Sequence, residues 1–174
     1  MLEWCDKAYD YVQEIDKEFS DWLCVPRSKR TTSIKPSGTV SLLNGSTPGI
    51  HYPEAEYYIR RIRFSIGNSI LRAIEEAGYH IEKDAYSPNT MVASFPVHEP
   101  FFQKGKNEAT MWEQLEIAAA YQHYWADNSV SVTVTFKADE AKDIKTALEM
   151  YESRLKAVSF LRYQETGYEQ APYE

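Results

Sequence analysis

Cysteine is scarce in this sequence. Cys5 and Cys24 are the only two in 174 residues. Two cannot build a disulfide framework, and neither belongs to a C-x-x-C pair or a His/Cys cluster, so no metal site is expected. No apolar run reaches the roughly 18 residues that a membrane span needs. The N-terminus, Met1-Leu2-Glu3-Trp4, lacks the basic and apolar regions of a signal peptide. The chain is therefore expected to be cytoplasmic and reduced, with no membrane partner, and Asn44-Gly45-Ser46 reads as an Asn-Gly turn rather than a glycosylation site. Basic residues are outnumbered 19 to 26, and the net charge of −7 argues against direct binding to nucleic acid. With 7 Gly and 8 Pro the chain is neither fibrous nor of low complexity. What is present is apolar and aromatic. Hydrophobic residues at 43% and aromatics at 14% exclude intrinsic disorder, and the length suits about one domain with a real core. The thirteen tyrosines suit ring packing with a wet hydroxyl, or a partner surface.

Residues 2–24 predict an amphipathic helix. Ala8, Val12, Ile15, Phe19 and Trp22 recur at helical spacing on one face, and Pro26 ends the run. Thr31–Ile34 reads as a strand, and residues 35–51, rich in Gly, Pro, Ser and Thr, as an ordered loop. Tyr57–Phe64 predicts a strand. A helix from Asn68 to Ala77 follows, with Asn68 as N-cap and Gly78 past its end. Met91–Pro96 predicts another strand. Thr110-Met111-Trp112-Glu113 is a capping box opening a helix to about Trp125. Ser129–Phe136 alternates strictly, valines on one face and Ser/Thr on the other. A last helix over 139–152 carries a stripe of Ile144, Leu148 and Tyr151, and Val158–Leu161 predicts a short final strand. The alternation of strands and helices argues for an α/β fold with mainly parallel pairs.

The sharpest chemical feature is Pro36-Ser37-Gly38-Thr39. A strand ends, glycine frees the turn, and hydroxyls lie beside free N–H groups. A helix starting at Thr39 would turn its N-terminus to the loop, as in phosphate sites. It is not a P-loop, because G-x-x-x-x-G-K-[ST] is missing. From the pattern alone an ordinary strand-to-helix turn remains the commoner outcome. Arg60, Arg61 and Arg63 form either a carboxylate or phosphate fork or, more commonly, a solvated strand face. Glu54 and Glu56 share a side of an extended segment, but a working carboxylate pair there is not expected. The Ser/Thr face of 129–135 fits solvent or a polar interior facing a substrate.

Taken together, Thr31–Leu43, Ser46–His51, Tyr57–Phe64, Trp125–Phe136 and the tail Tyr168-Glu169-Gln170-Ala171-Pro172-Tyr173-Glu174 resemble the late part of the catalytic chain of ribonucleotide reductases. The adenosylcobalamin-dependent, monomeric class II ribonucleoside-triphosphate reductases are the nearest likeness. The resemblance implies an α/β fold forming the C-terminal portion of a ten-stranded barrel, a half-barrel as an isolated chain. Residues 1–163 would form that portion, and 164–174 a polar tail leading to a missing C-terminal segment. It implies that Ser37, Gly38 and Thr39, with Ser41 as a weaker candidate, bind substrate phosphates. It implies no catalytic residue here, because the family's radical cysteine with its Glu, its Asn and its redox cysteines have no counterpart in the sequence. Adenosylcobalamin is implied as cofactor of the whole enzyme. The implied partners are a ribonucleoside triphosphate, the N-terminal half of the reductase, and thioredoxin or another dithiol. Phe160-Leu161 stands where the diiron-dependent class carries a tyrosine pair, which fits a cobalamin enzyme. A non-catalytic phosphate- or nucleotide-binding scaffold assembling with a partner chain is the alternative, and a plain structural α/β domain a third reading.

Overall fold

The computed structural model describes residues 2–37, 41, 45–164 and 168–174. In chain order its elements are α1 (Leu2–Leu23), β1 (Tyr57–Ser65), α2 (Ile70–Glu76), β2 (His80–Lys83), β3 (Thr90–His98), α3 (Met111–Tyr124), β4 (Thr133–Phe136), a 3-10 turn (Ala141–Asp143), α4 (Ile144–Tyr151) and β5 (Ser159–Arg162). They fall into two units, Met1–Tyr52 with Glu108–Tyr163, and Pro53–Asn107 with Gln164–Glu174. No helix among the described residues is long and apolar enough to cross a membrane.

In the first unit β4 and β5 pair in parallel. The core gathers Met111, Leu115, Ala118 and Ala119 of α3, Val130, Val132 and Val134, and Ala147 and Tyr151 of α4. The alternation predicted for 129–136 is therefore correct in phase: the three valines point inward, and the Ser/Thr face is half-buried. The regular strand is shorter than predicted and begins at Thr133. Thr31–Ile34 is not a strand; it contributes one parallel bridge, Ile34 to Val130. The capping box forms as expected, Thr110 Oγ1 accepting from Glu113 N at 3.1 Å and Glu113 Oε2 from Thr110 N at 2.9 Å. Two apolar stripes fare worse. Leu148 is 48% exposed while its neighbour Ala147 is sealed, and on α1 Phe19 and Trp22 are 49% and 68% exposed. Periodicity picked the amphipathic elements but not the angle at which each meets its neighbour.

The second unit corrects the expectation of mainly parallel pairing. Its sheet is antiparallel, in the order β1-β3-β2. The sequence reading missed β2, a four-residue strand whose His80 and Lys83 are exposed and whose Ile81 and Glu82 are half-buried. α2 starts at Ile70, two residues later than predicted. Its N-cap is Ser69 rather than the expected Asn68, although Asn68 Oδ1 accepts from Ile70 N at 3.1 Å; Gly78 follows in the left-handed region at φ +84°.

Candidate functional site

Polar groups of the first unit are organised around one edge of the β4 chain. On that side the backbone N–H groups of alternate residues each find a different partner. Ser131 N donates to Ile34 O at 2.9 Å, Thr133 N to His51 Nε2 at 3.1 Å and Thr135 N to Gln114 Oε1 at 2.8 Å. Gln114 Nε2 returns a bond to Thr135 O at 2.7 Å. The neighbouring chain thus runs beside β4 only as far as Ile34. Beyond it, two side chains replace the missing strand. This explains why Thr31–Ile34 does not extend into a ladder, since Pro36 has no N–H to donate. It also leaves a divergence after Ile34, at the carboxyl ends of parallel segments, the place where open α/β sheets bind ligands.

The predicted loop leaves from this divergence. Ser37 and Ser41 are both half-buried. Ser37 Oγ accepts from Ser41 N at 3.3 Å, and Ser41 Oγ donates to the Ser37 carbonyl. Ser37 thus keeps its own hydroxyl proton to donate, whereas the single hydroxyl proton of Ser41 is engaged. Gly38 and Thr39, the other two predicted site residues, lie outside the described residues, as does Asn44 of the predicted turn. The returning arm is anchored by His51. Its Nδ1 lies 2.7 Å from Pro48 O while Nε2 accepts from Thr133 N, so the bonding pattern selects the neutral ring protonated at Nδ1. Sequence reading named His51 only within a motif; its anchoring role has no local signature. Gly49, at φ +60°, lies against Pro36, and a Cβ there would come 3.3 Å from Pro36 Cα. Gly49→Ala should destabilise the chain by about 1–3 kcal/mol through left-handed strain and that contact, read by urea unfolding. A neutral outcome would show that the two arms of the loop are not packed together.

At the opposite end of the β4 chain, Asp127 holds the turn after α3. Oδ2 accepts from Thr31 N at 3.0 Å and Thr31 Oγ1 at 3.1 Å, and Oδ1 from the Tyr9 hydroxyl at 2.8 Å. The Thr31 backbone N–H is the main cause holding the Asp127 carboxyl below its usual range, with Tyr9 and the Thr31 hydroxyl adding to it. The Tyr9 phenol is raised in return, chiefly by that same bond. Glu116 is likewise lowered, first by Arg154, which it meets at 2.6 and 2.9 Å, then by Tyr151. A carboxyl lowered on folding stabilises above its unfolded pKa of about 4 and loses that contribution as pH falls through the lower folded value. The melting temperature should therefore hold down to about pH 4–5 and drop below it. Asp127→Asn should flatten the acid limb, and an unchanged limb would remove Asp127 from the account. These groups line an open cleft of about 980 Å³ whose Glu116, Arg154, Asp127 and Lys156 are already engaged with protein groups.

In the second unit Glu54 and Glu56 have separate partners, and the arginine cluster, open in the sequence to a fork or a solvated strand face, is filled from within the chain. Glu54 pairs with Lys106, and Glu56 lies 4.0 Å from His98. The three arginines reach the chain's own tail: Arg60 Nη1 to Pro172 O at 3.0 Å, Arg61 Nη1 to Ala171 O at 3.1 Å, and Arg63 Nη2 to Gln170 O at 3.0 Å; Arg63 Nε also pairs with the buried Asp84 at 2.5 Å. Tyr58 is buried, its hydroxyl donating to Glu99 at 2.8 Å, and burial followed by that bond raises its pKa.

This arrangement has known relatives. No family model matches the chain. A crystal structure described as a B-12-dependent (class II) ribonucleotide reductase superposes with a TM-score of 0.88 at 34% identity, covering 99% of this chain and 25% of that one. The fold is thus that of a segment of a class II ribonucleotide reductase. Among curated proteins, the probable adenosylcobalamin-dependent ribonucleoside-triphosphate reductase of Dictyostelium discoideum is 46% identical over 100% of this chain and 24% of the relative. The reductase of the same name, without the qualifier, from Euglena gracilis is 43% identical over 98% and 24%. The chain is a homologue of one segment of the adenosylcobalamin-dependent ribonucleoside-triphosphate reductases, and spans about a quarter of the length of the relatives it matches.

Proposed function

We propose that the chain serves as the substrate-phosphate-binding segment of an adenosylcobalamin-dependent ribonucleoside-triphosphate reductase, where it completes the α/β barrel. The observation that carries this is the divergence after Ile34, where the Ser37 loop departs while His51 and Gln114 close the β4 edge. Ser37, Gly38 and Thr39 would hold the phosphates through backbone N–H groups and hydroxyls, with Lys35 just outside the loop. Ser41 is the weaker candidate, because its N–H and its hydroxyl proton are both engaged with Ser37. In this reading the remainder of the reductase and a dithiol such as thioredoxin supply the redox chemistry. Adenosylcobalamin is assigned to the whole enzyme, as in the names of the relatives, and no step is routed through it here.

The test is a titration of the isotope-labelled chain with a ribonucleoside triphosphate, followed by amide NMR. Shifts should concentrate at Ser37, Ser41 and Ser46. Ser37→Ala, which removes a hydroxyl bonded to a charged oxygen, should weaken binding by about 1.5–3 kcal/mol. Shifts elsewhere, or a neutral Ser37→Ala, would defeat the assignment. The chain alone should turn over no ribonucleotide even with adenosylcobalamin and a dithiol. A scaffold without any reductase role would bind triphosphate yet fail to restore turnover when mixed with the remainder of a reductase.

A further inference from the structure

Within the second unit the tail docks on the β1-β3-β2 sheet as a ligand would. The β1-β3-β2 sheet is fully registered without it, β1 pairing with β3 from Tyr57–His98 to Ser65–Thr90. The tail adds to the free edge of β1 as an antiparallel segment. Ile59 N donates to Glu174 O at 2.6 Å, Glu174 N to Ile59 O at 3.1 Å, and Arg61 N to Pro172 O at 2.9 Å. An added edge strand needs only such main-chain bonds. Here three arginines of β1 also grip three successive tail carbonyls.

Side chains of the tail are read as well. Gln170 reaches the loop after β2 with both ends of its amide, Oε1 accepting from Ala85 N at 2.8 Å and Nε2 donating to Lys83 O at 2.8 Å. Arg60 lies 4.3 Å over the Tyr173 ring, and Tyr58 meets that ring at 5.7 Å. Glu174 pairs with Arg61. Pro172 has no N–H to lose. The contact is mainly polar, and it leaves Arg60 Nε and Arg61 Nε buried without partners among the described residues. Each orphaned donor costs binding energy, which favours a seat that can be vacated over a permanent strand.

We propose that the β1 edge of this unit is a peptide-binding groove for an extended Gln-x-Pro-Tyr-acidic segment, held in cis by residues 170–174 and open to the same segment offered in trans by a second copy of this chain. Arg60, Arg61 and Arg63 give the main-chain grip, the 83–85 backbone reads glutamine, and the Tyr58–Arg60 slot reads tyrosine.

The test uses the full-length chain carrying Gln170→Ala and Tyr173→Ala, which weaken the cis tail, and a fluorescent peptide spanning residues 168–174. Anisotropy should show saturable binding to this variant, at least tenfold weaker binding to the unmodified chain, whose own tail competes, and at least a tenfold loss when Arg60→Ala is added to the variant. No saturable binding to a folded variant, or equal binding with and without Arg60, overturns the proposal. A variant that no longer folds overturns it too, because the tail would then be an integral strand. Hydrogen exchange on the unmodified chain gives an independent reading. The Ile59 and Arg61 amides, which face the tail, should exchange faster than the alternate amides of β1 that face β3, and equal rates would contradict a separable tail.

Discussion

Replacing Gln114 by leucine should lower the unfolding free energy by about 2–4 kcal/mol, a large change for a substitution that keeps shape and helix propensity. Gln114 is 8% exposed on α3. Its amide makes the two bonds that a neighbouring strand would otherwise make to Thr135. Leucine offers neither donor nor acceptor, so both backbone groups would be left unpaired, at about 1–3 kcal/mol each. Glutamate would keep the acceptor for Thr135 N but turn a carboxylate oxygen toward Thr135 O, and should cost at least as much near neutral pH. Leu148→Ala is the control: with 48% of its surface exposed, this leucine should matter by less than about 1 kcal/mol although it belongs to a predicted apolar stripe. Urea denaturation decides. A Gln114→Leu change below about 1 kcal/mol would mean that the β4 edge is satisfied by another group.

The contrast between Gln114 and Leu148 shows what was legible in the sequence. Local signals read well. The Thr110/Glu113 capping box, the valine phase of 130–134 and the stop at Gly78 depend on neighbours within a few residues. Long-range exchanges did not. Whether Thr31–Ile34 becomes a strand depends on Gln114 and His51, which lie far away in the chain and take over the edge it would have used. The direction of pairing was inferred from element order, and that inference failed where β2, short and half-exposed, slipped between α2 and β3 and made the second sheet antiparallel. The arginine cluster was visible, but its partner was the tail more than a hundred residues later, so composition could name the fork without naming what fills it. For the candidate site, Ser37 was found because glycine, proline and hydroxyls cluster around it. His51 was quoted only inside a motif, since a histidine that accepts from one backbone N–H and donates to one carbonyl has no pattern of its own.

His51→Ala should reduce the affinity of the chain for a ribonucleoside triphosphate about tenfold, or about 1.4 kcal/mol, if the Ser37 loop is the phosphate site. The ring does not need to touch the ligand for this. It joins Pro48 on the returning arm to Thr133 on β4, and without it the arm loses its tie to the rigid part of the unit, so ordering the loop would draw on binding energy. His51→Gln carries one donor and one acceptor on a carboxamide and should recover part of the loss. A histidine that itself contacted phosphate would not be replaced by glutamine, whose carboxamide can restore only the tie between Pro48 and Thr133. Equilibrium binding of a ribonucleoside triphosphate to wild type, His51→Ala and His51→Gln separates the two: a loss in His51→Gln as large as in His51→Ala would make His51 a direct phosphate ligand and refute the anchoring role.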